Sequence, residues 1–178
     1  MIHKKILMIV APERFRDEEF FEPRGVFEKN GFEVTVGSTC LGKAAGVLGG
    51  SVDVDVLIDE VSADPFDAIV ISGGGGSKVF LWDNPKLHAL LNDAFSKGKV
   101  VSAICISPVV LAKAGLLKGK AATIFNAEDA IAAMVQSGAD LKPEAVVRDG
   151  NIITGNGPEC SVSFGESILA AIHENNQN

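Results

Sequence analysis

The chain has 178 residues, enough for one domain with a full core, and residues 1–178 are read as that single domain. Apolar residues make up 47% and the net charge is −7 with no basic cluster, so the chain should fold, and neither nucleic acid nor an anionic membrane surface is expected as a partner. No apolar run is long enough for a transmembrane helix, and three scattered cysteines (Cys40, Cys105, Cys160) do not make a disulfide framework.

Residues 6–10 are a continuous apolar run, too short for the core of a signal peptide, and read as a strand buried on both faces of a cytoplasmic protein. Asp17 is placed to cap a helix from about Glu18, with Glu18 and Glu19 in its first turn. Phe20, Val26 and Phe27 would face the core. Pro23, four residues after Glu19, frees the Glu19 carbonyl and bends the helix, which Asn30-Gly31 ends. Residues 33–36 form a second strand, and the glycine-rich stretch 37–50 is expected to be irregular. Val52, Val54 and Val56 alternate with Asp53 and Asp55, which suits a small antiparallel piece at a sheet edge.

Residues 68–71 are another buried strand and open into Gly73-Gly74-Gly75-Gly76. Asn84 caps a helix with Pro85 in its first position and Leu87, Leu90, Leu91, Ala94 and Phe95 as its stripe; Gly98 stops it. Residues 100–104 form the next strand. Cys105 follows it, then Ser107 as N-cap and Pro108 as first residue of a short helix reaching 114. Residues 121–125 read as a strand. Asn126 caps a helix with Ile131, Met134 and Val135 inward. Residues 145–148 and 151–154 read as a hairpin about Asp149-Gly150. The last helix turns Val162, Ile168, Leu169 and Ile172 inward, and 175–178 should fray. Strands alternating with helices predict an α/β fold with a mostly parallel sheet covered on both faces. Sites in such sheets lie beyond the carboxyl ends of the strands, where the loop holding Glu18 and Glu19, the glycine run and Cys105 all fall.

Cys105 has two readings. It is a buried core cysteine, or it is a nucleophile elbow whose thiol stands beside a helix start, where free N–H groups and the helix dipole favour a thiolate. The acids 17–19 are ordinary first-turn acids, or Glu19 meets Cys105. A protonated Glu19 would donate to the thiolate; an ionised one would act as a base but repel it. The glycine run is a tight connection, or it aims backbone N–H groups at a substrate oxygen, with Ile106 N–H as the second donor. Its spacing fits neither a dinucleotide site nor a P-loop. His3, His88 and His173 are scattered, His88 falls off its helix's apolar stripe, and no metal or cofactor is called for. Cys40 and Cys160 read as bystanders, with Cys160 close enough to the same sheet edge to be considered as a resolving thiol.

Ala103-Ile104-Cys105-Ile106-Ser107-Pro108, with the stretch from Leu111 to Lys120, resembles the elbow of the DJ-1/PfpI (ThiJ/PfpI) family, relatives of class I glutamine amidotransferases. Asp17, Glu19 and Pro23 match too, as do Ile71-Ser72-Gly73-Gly74, Asp149-Gly150-Asn151 and Gly157-Pro158, so the likeness runs along essentially the whole chain. It implies a three-layer flavodoxin-like sandwich, assembled as a homodimer or a hexamer of dimers. It also implies Cys105 as reactive cysteine, Glu19 as its carboxyl partner, and the backbone at Gly74, Gly75 and Ile106 as oxyanion and substrate-binding groups. The family's activities include glyoxalase III-type conversion of 2-oxoaldehydes, a deglycase activity, peptidase activity in some branches, and oxidative-stress sensing through the cysteine. The peptidase-like branch has histidine where Ile106 stands and glutamate where Lys78 stands, and the position often held by histidine after the elbow helix falls at or near Phe125. The expectation is therefore a cofactor-independent Cys105/Glu19 enzyme whose partner is a small carbonyl compound. The alternatives are a cysteine redox sensor whose partner is an oxidant and, disfavoured, an intracellular cysteine peptidase.

Overall fold

The computed structural model describes residues 3–177; Met1 and Ile2, at the start read as a first strand, and Asn178, in the end expected to fray, lie outside the described residues. The chain runs β1 (Lys5–Ile9), β2 (Glu13–Phe15), α1 (Asp17–Lys29), β3 (Glu33–Ser38), β4 (Gly42–Gly46), β5 (Ser51–Val54), β6 (Val56–Leu57) and β7 (Ala68–Ile71). It continues through α2 (Gly75–Phe80), α3 (Pro85–Ser96), β8 (Val100–Ile104), α4 (Pro108–Lys113), β9 (Ala121–Ala122) and α5 (Glu128–Gln136). The last elements are β10 (Asp140–Leu141), β11 (Val146–Asp149), β12 (Ile152–Gly155), a 3-10 turn (Pro158–Cys160) and α6 (Ser161–Asn175).

The central sheet has seven strands in the order β11-β12-β8-β7-β1-β3-β6. Every pairing in it is parallel except β11 with β12. The apolar runs of β1, β7 and β8 are long enough only for strands and too apolar to face water on either side, so they occupy the middle. Their side chains alternate between two cores. Ala68 and Val70 join Phe20, Phe27, Phe164 and Ile168 under α1 and α6. Ile69 and Ile71 join Leu87, Leu91, Val109 and Met134 under α3, α4 and α5. The result is the expected three-layer α/β sandwich with a mostly parallel sheet.

Several local expectations are corrected. The stretch 37–50 is not irregular: β4 lies in it, antiparallel to β5 and parallel to β2, in a separate three-stranded sheet. Gly42-Lys43-Ala44-Ala45-Gly46 has little intrinsic strand preference, so its partners, not its residues, make it a strand. The glycine run continues into a helix, α2, that turn chemistry did not suggest. Asp17 does not cap α1; it is the first helical residue, and Arg16 precedes it without a side-chain cap. Nor do Asn126 and Ser107 cap through their side chains. Asn84 does, its Oδ1 accepting from Leu87 N–H at 3.0 Å. Val135 and Val162, expected inward, are exposed.

Candidate active site

Pro23 lies inside α1, and its missing N–H would leave the Glu19 carbonyl without its helical donor. The hydroxyl of Ser72, just after β7, donates to that carbonyl at 3.2 Å. The next N–H, that of Gly73, donates to Glu19 Oε2 at 2.9 Å. The proline thus opens a place on α1 for the glycine turn, and the turn fixes the Glu19 carboxyl. A Cβ at Gly73 would run into Glu19 Oε2 and stand 2.5 Å from Cys105 Cβ, so glycine is required for this approach. Gly74 has φ of +99°, and a Cβ there would lie 2.5 Å from Arg16 N.

Cys105 follows β8 with φ of +65°, a left-handed conformation that a non-glycine residue holds only when its surroundings enforce it. The enforcement is visible. Cys105 N–H donates to Gly155 O and Cys105 O accepts from Phe125 N–H, both at 2.9 Å. Ser107, read as an N-cap, instead donates its hydroxyl to Ser72 O at 2.7 Å. Its single proton is then committed, so Ser77 Oγ, also 2.7 Å away, is the donor in their contact. This buried serine chain ties the glycine turn, the elbow and α2 together. Trp82 Nε1 donates to Ile106 O at 3.0 Å on the other side of the elbow.

Glu19, Cys105, Gly74, Gly75 and Ile106 line one cavity of about 240 Å³, together with Arg16, Val47, Phe125 and Pro158. Backbone N–H groups of Gly74 and Ile106 lie near enough to the sulfur to favour its ionised form, and Gly75 lines the cavity wall. The Glu19 carboxyl faces the thiol at hydrogen-bonding range, but no aligned bond is made and Glu19 Oε1, fully buried, has no partner among the described residues.

Burial pushes the Glu19 carboxyl up to about 7, against the pull of the Cys105 thiol, Gly73 N–H and the Arg16 charge. Burial also pushes the Cys105 thiol up to about 12; the charge of Glu19 and its contact with the thiol add to this, while the N–H groups of Gly74 and Ile106 oppose it. This corrects the expectation of a resting thiolate favoured by the helix start. The pair gives up its first proton near neutrality and resists losing the second, so around pH 7 it shares at most one negative charge. It behaves as a thiol facing its own base.

Arg16 and Val47 carry no signature in the sequence, and Pro158 stands out there only as part of the Gly157-Pro158 match. Arg16 forks onto Glu18, Nε to Oε2 at 2.8 Å and Nη2 to Oε1 at 3.1 Å. Val47 belongs to the turn between β4 and β5, which Asp17 clips to α1 by accepting from Leu48 N–H (2.8 Å) and Gly50 N–H (2.7 Å). Two acids of the 17–19 cluster therefore hold chain segments around the cavity, and a helix-start reading could not distinguish that from capping.

The histidines stand elsewhere. His88, off its helix's apolar stripe, is nonetheless half-buried and its Nε2 meets Trp82 O at 2.8 Å. His173 packs near Phe32. Cys160 is buried with its Sγ 3.2 Å from Gly157 O and is not a wall of the Cys105 cavity; Cys40 is exposed. Among the described residues, no cluster of His, Cys, Asp and Glu is placed to hold a metal ion, and no helix is long and apolar enough to cross a membrane.

A family model described as the DJ-1/PfpI family matches residues 4–171. An uncharacterized protein of Methanocaldococcus jannaschii is 50% identical over 177 residues, covering 99% of this chain and 86% of that one. The protein named deglycase PfpI of Pyrococcus furiosus is 36% identical over 157 residues, covering 86% of this chain and 90% of that one. Among solved structures, a ThiJ/PfpI domain protein from Brachyspira murdochii matches with a TM-score of 0.93 at 33% identity, over 98% of this chain and 99% of that one.

Proposed function

The chain belongs to the DJ-1/PfpI family, and from that premise we propose that it converts small 2-oxoaldehydes, free or as their early adducts with thiols and amines, through Cys105 and Glu19. The observation that carries this reading is the fully buried Glu19 carboxyl, held beside the thiol with Oε1 unpartnered among the described residues and with an affinity for protons matched to neutral pH. A general base works best when its pKa lies near the operating pH. The deglycase name of the Pyrococcus furiosus relative points the same way.

The chemistry follows from the placement. As an aldehyde carbon approaches Sγ, Glu19 takes the thiol proton and the S–C bond forms. The carbonyl oxygen gathers negative charge, which the N–H groups of Gly74 and Ile106 are placed to meet, and it ends protonated as a hemithioacetal. Glu19 then moves a proton from the former aldehyde carbon to the neighbouring ketone carbon by way of an enediol. The first carbon is oxidised to a thioester and the second reduced to an alcohol, with no outside oxidant. Water cleaves the thioester, releasing a 2-hydroxy acid and the free thiol. A second cavity of about 350 Å³ shares Phe125 and Pro158 with the first and gives room for the amine or thiol portion of an adduct.

The same pair supports a second reading as a peroxide sensor. Two equivalents of peroxide would convert the thiol to a sulfinate with release of two waters, and protonated Glu19 would donate to a sulfinate oxygen. Peptide hydrolysis gains no support, because no histidine lines the cavity to protonate a leaving amine. The test is turnover of methylglyoxal to lactate, expected to fall to background in Cys105→Ala and by about 10²–10⁴-fold in Glu19→Gln. Wild-type protein without turnover, but gaining two oxygens on Cys105 under mild peroxide, would reject the carbonyl reading for the second.

A further inference from the structure

Arg16 is a charged wall of the cavity that the chemistry above does not use. Its backbone N–H is fixed on Gly73 O at 3.0 Å, and its side chain is fixed by the fork onto Glu18. A guanidinium has more N–H donors than one carboxylate can occupy, and that fork engages only Nε and Nη2. No hydrogen bond of Nη1 is found among the described residues. The side chains of Val47, Ile106, Phe125 and Pro158 bring no charge to the cavity. The fully buried Glu19 carboxyl lines the same cavity, and its Oε1 has no hydrogen-bond partner among the described residues. A carbonyl compound that also carries an anion would place one end at the thiol and the other at Arg16.

We infer that Arg16 is a specificity-determining residue, and that the preferred substrate is a 2-oxoaldehyde bearing a carboxylate a few bonds from the aldehyde rather than a neutral one. A planar guanidinium suits a carboxylate in shape as well as charge, and with Glu18 holding it the group is oriented before the substrate arrives. The inference rests on the carbonyl reading of the site, so its main test does not depend on turnover.

Cys105 is alkylated by iodoacetate, an anion, and by iodoacetamide, its neutral analogue. Each forms an S–C bond and expels iodide, and mass spectrometry gives the ratio of the two rates. Removing Arg16 alone would leave the charge of Glu18 behind, so the comparison is between Glu18→Gln and the double variant Arg16→Met with Glu18→Gln. The iodoacetate-to-iodoacetamide ratio is expected to fall by about fivefold in the double variant, the effect of one charge contact that is not deeply buried. Such a fall supports the inference whether or not methylglyoxal is turned over. Equal ratios overturn it even if methylglyoxal is turned over. On the turnover side, kcat/KM for 4,5-dioxopentanoate relative to methylglyoxal should drop by a similar factor between the same two variants, and an unchanged preference also overturns it.

Discussion

Two cavities of similar size lie at opposite ends of the central sheet. At the amino ends of β1, β7 and β8, a cavity of about 290 Å³ is lined by His3, Asp67, Lys97 and Lys99 among others. At the carboxyl ends lies the cavity over Cys105, about 240 Å³. Size does not tell them apart, and the amino-end cavity has the more charges. Hydrogen bonding does. Asp67 accepts from His3 N–H at 2.9 Å and Lys5 N–H at 3.3 Å. Lys99 donates to the carbonyls of Asp64, at 2.7 Å, and Phe66. Lys97 bridges Asp64 and Asp93 at 2.6 and 2.8 Å. At the other end Glu19 Oε1 has no partner among the described residues and Cys105 is held left-handed. Settled charges fasten one end of the sheet; an unsettled acid and a strained cysteine leave the other end ready to react.

Removing the charge at each end should therefore act in opposite directions on stability. Glu19 has its folded pKa raised to about 7 from an ordinary 4.5. Its protonated form is favoured by folding, so its contribution is fully present below pH 4.5 and is lost as pH rises toward and through 7. Glu19→Gln should accordingly be more stable than wild type by about 3 kcal/mol at pH 8, with little gain at pH 4.5. Urea unfolding at the two pH values measures this, and an equal gain at both would break the comparison. Asp67→Ala should do the reverse, losing about 1–3 kcal/mol by orphaning two backbone N–H groups, with turnover per folded molecule unchanged. A loss of turnover there would mean that the amino end is not merely structural. Lys97→Ala should move the unfolding midpoint least, and only at low salt, because its pairs are exposed and screened.

Much of this contrast was legible in the sequence at the carboxyl end. The apolar run into Cys105, the proline four residues after Glu19 and the glycine run each have a local signature, and the freed Glu19 carbonyl is where the Ser72 hydroxyl docks. What could not be read depends on distant partners. β4 forms because β2 and β5 flank it, although its own residues are glycine, alanine and lysine. Asp17, Asn126 and Ser107 have the chemistry of N-caps, yet the Asp17 and Ser107 side chains are drawn to segments 31 to 35 residues away. Arg16 looks like any arginine beside a glutamate until the fold places it on the cavity. The expected thiolate failed for a related reason. A helix start argues for ionisation locally, but burial and a facing carboxylate, both products of the tertiary structure, outweigh it.

Cys105 and Glu19 share at most one negative charge near neutrality. The pH dependence of Cys105 alkylation by iodoacetamide, in wild type and in Glu19→Gln, tests it most directly. Wild-type reactivity should rise with a midpoint near 7, as the pair loses its first proton, and that step should be absent in Glu19→Gln. A single midpoint at the free-thiol value of about 8.5, the same in both proteins, would contradict it.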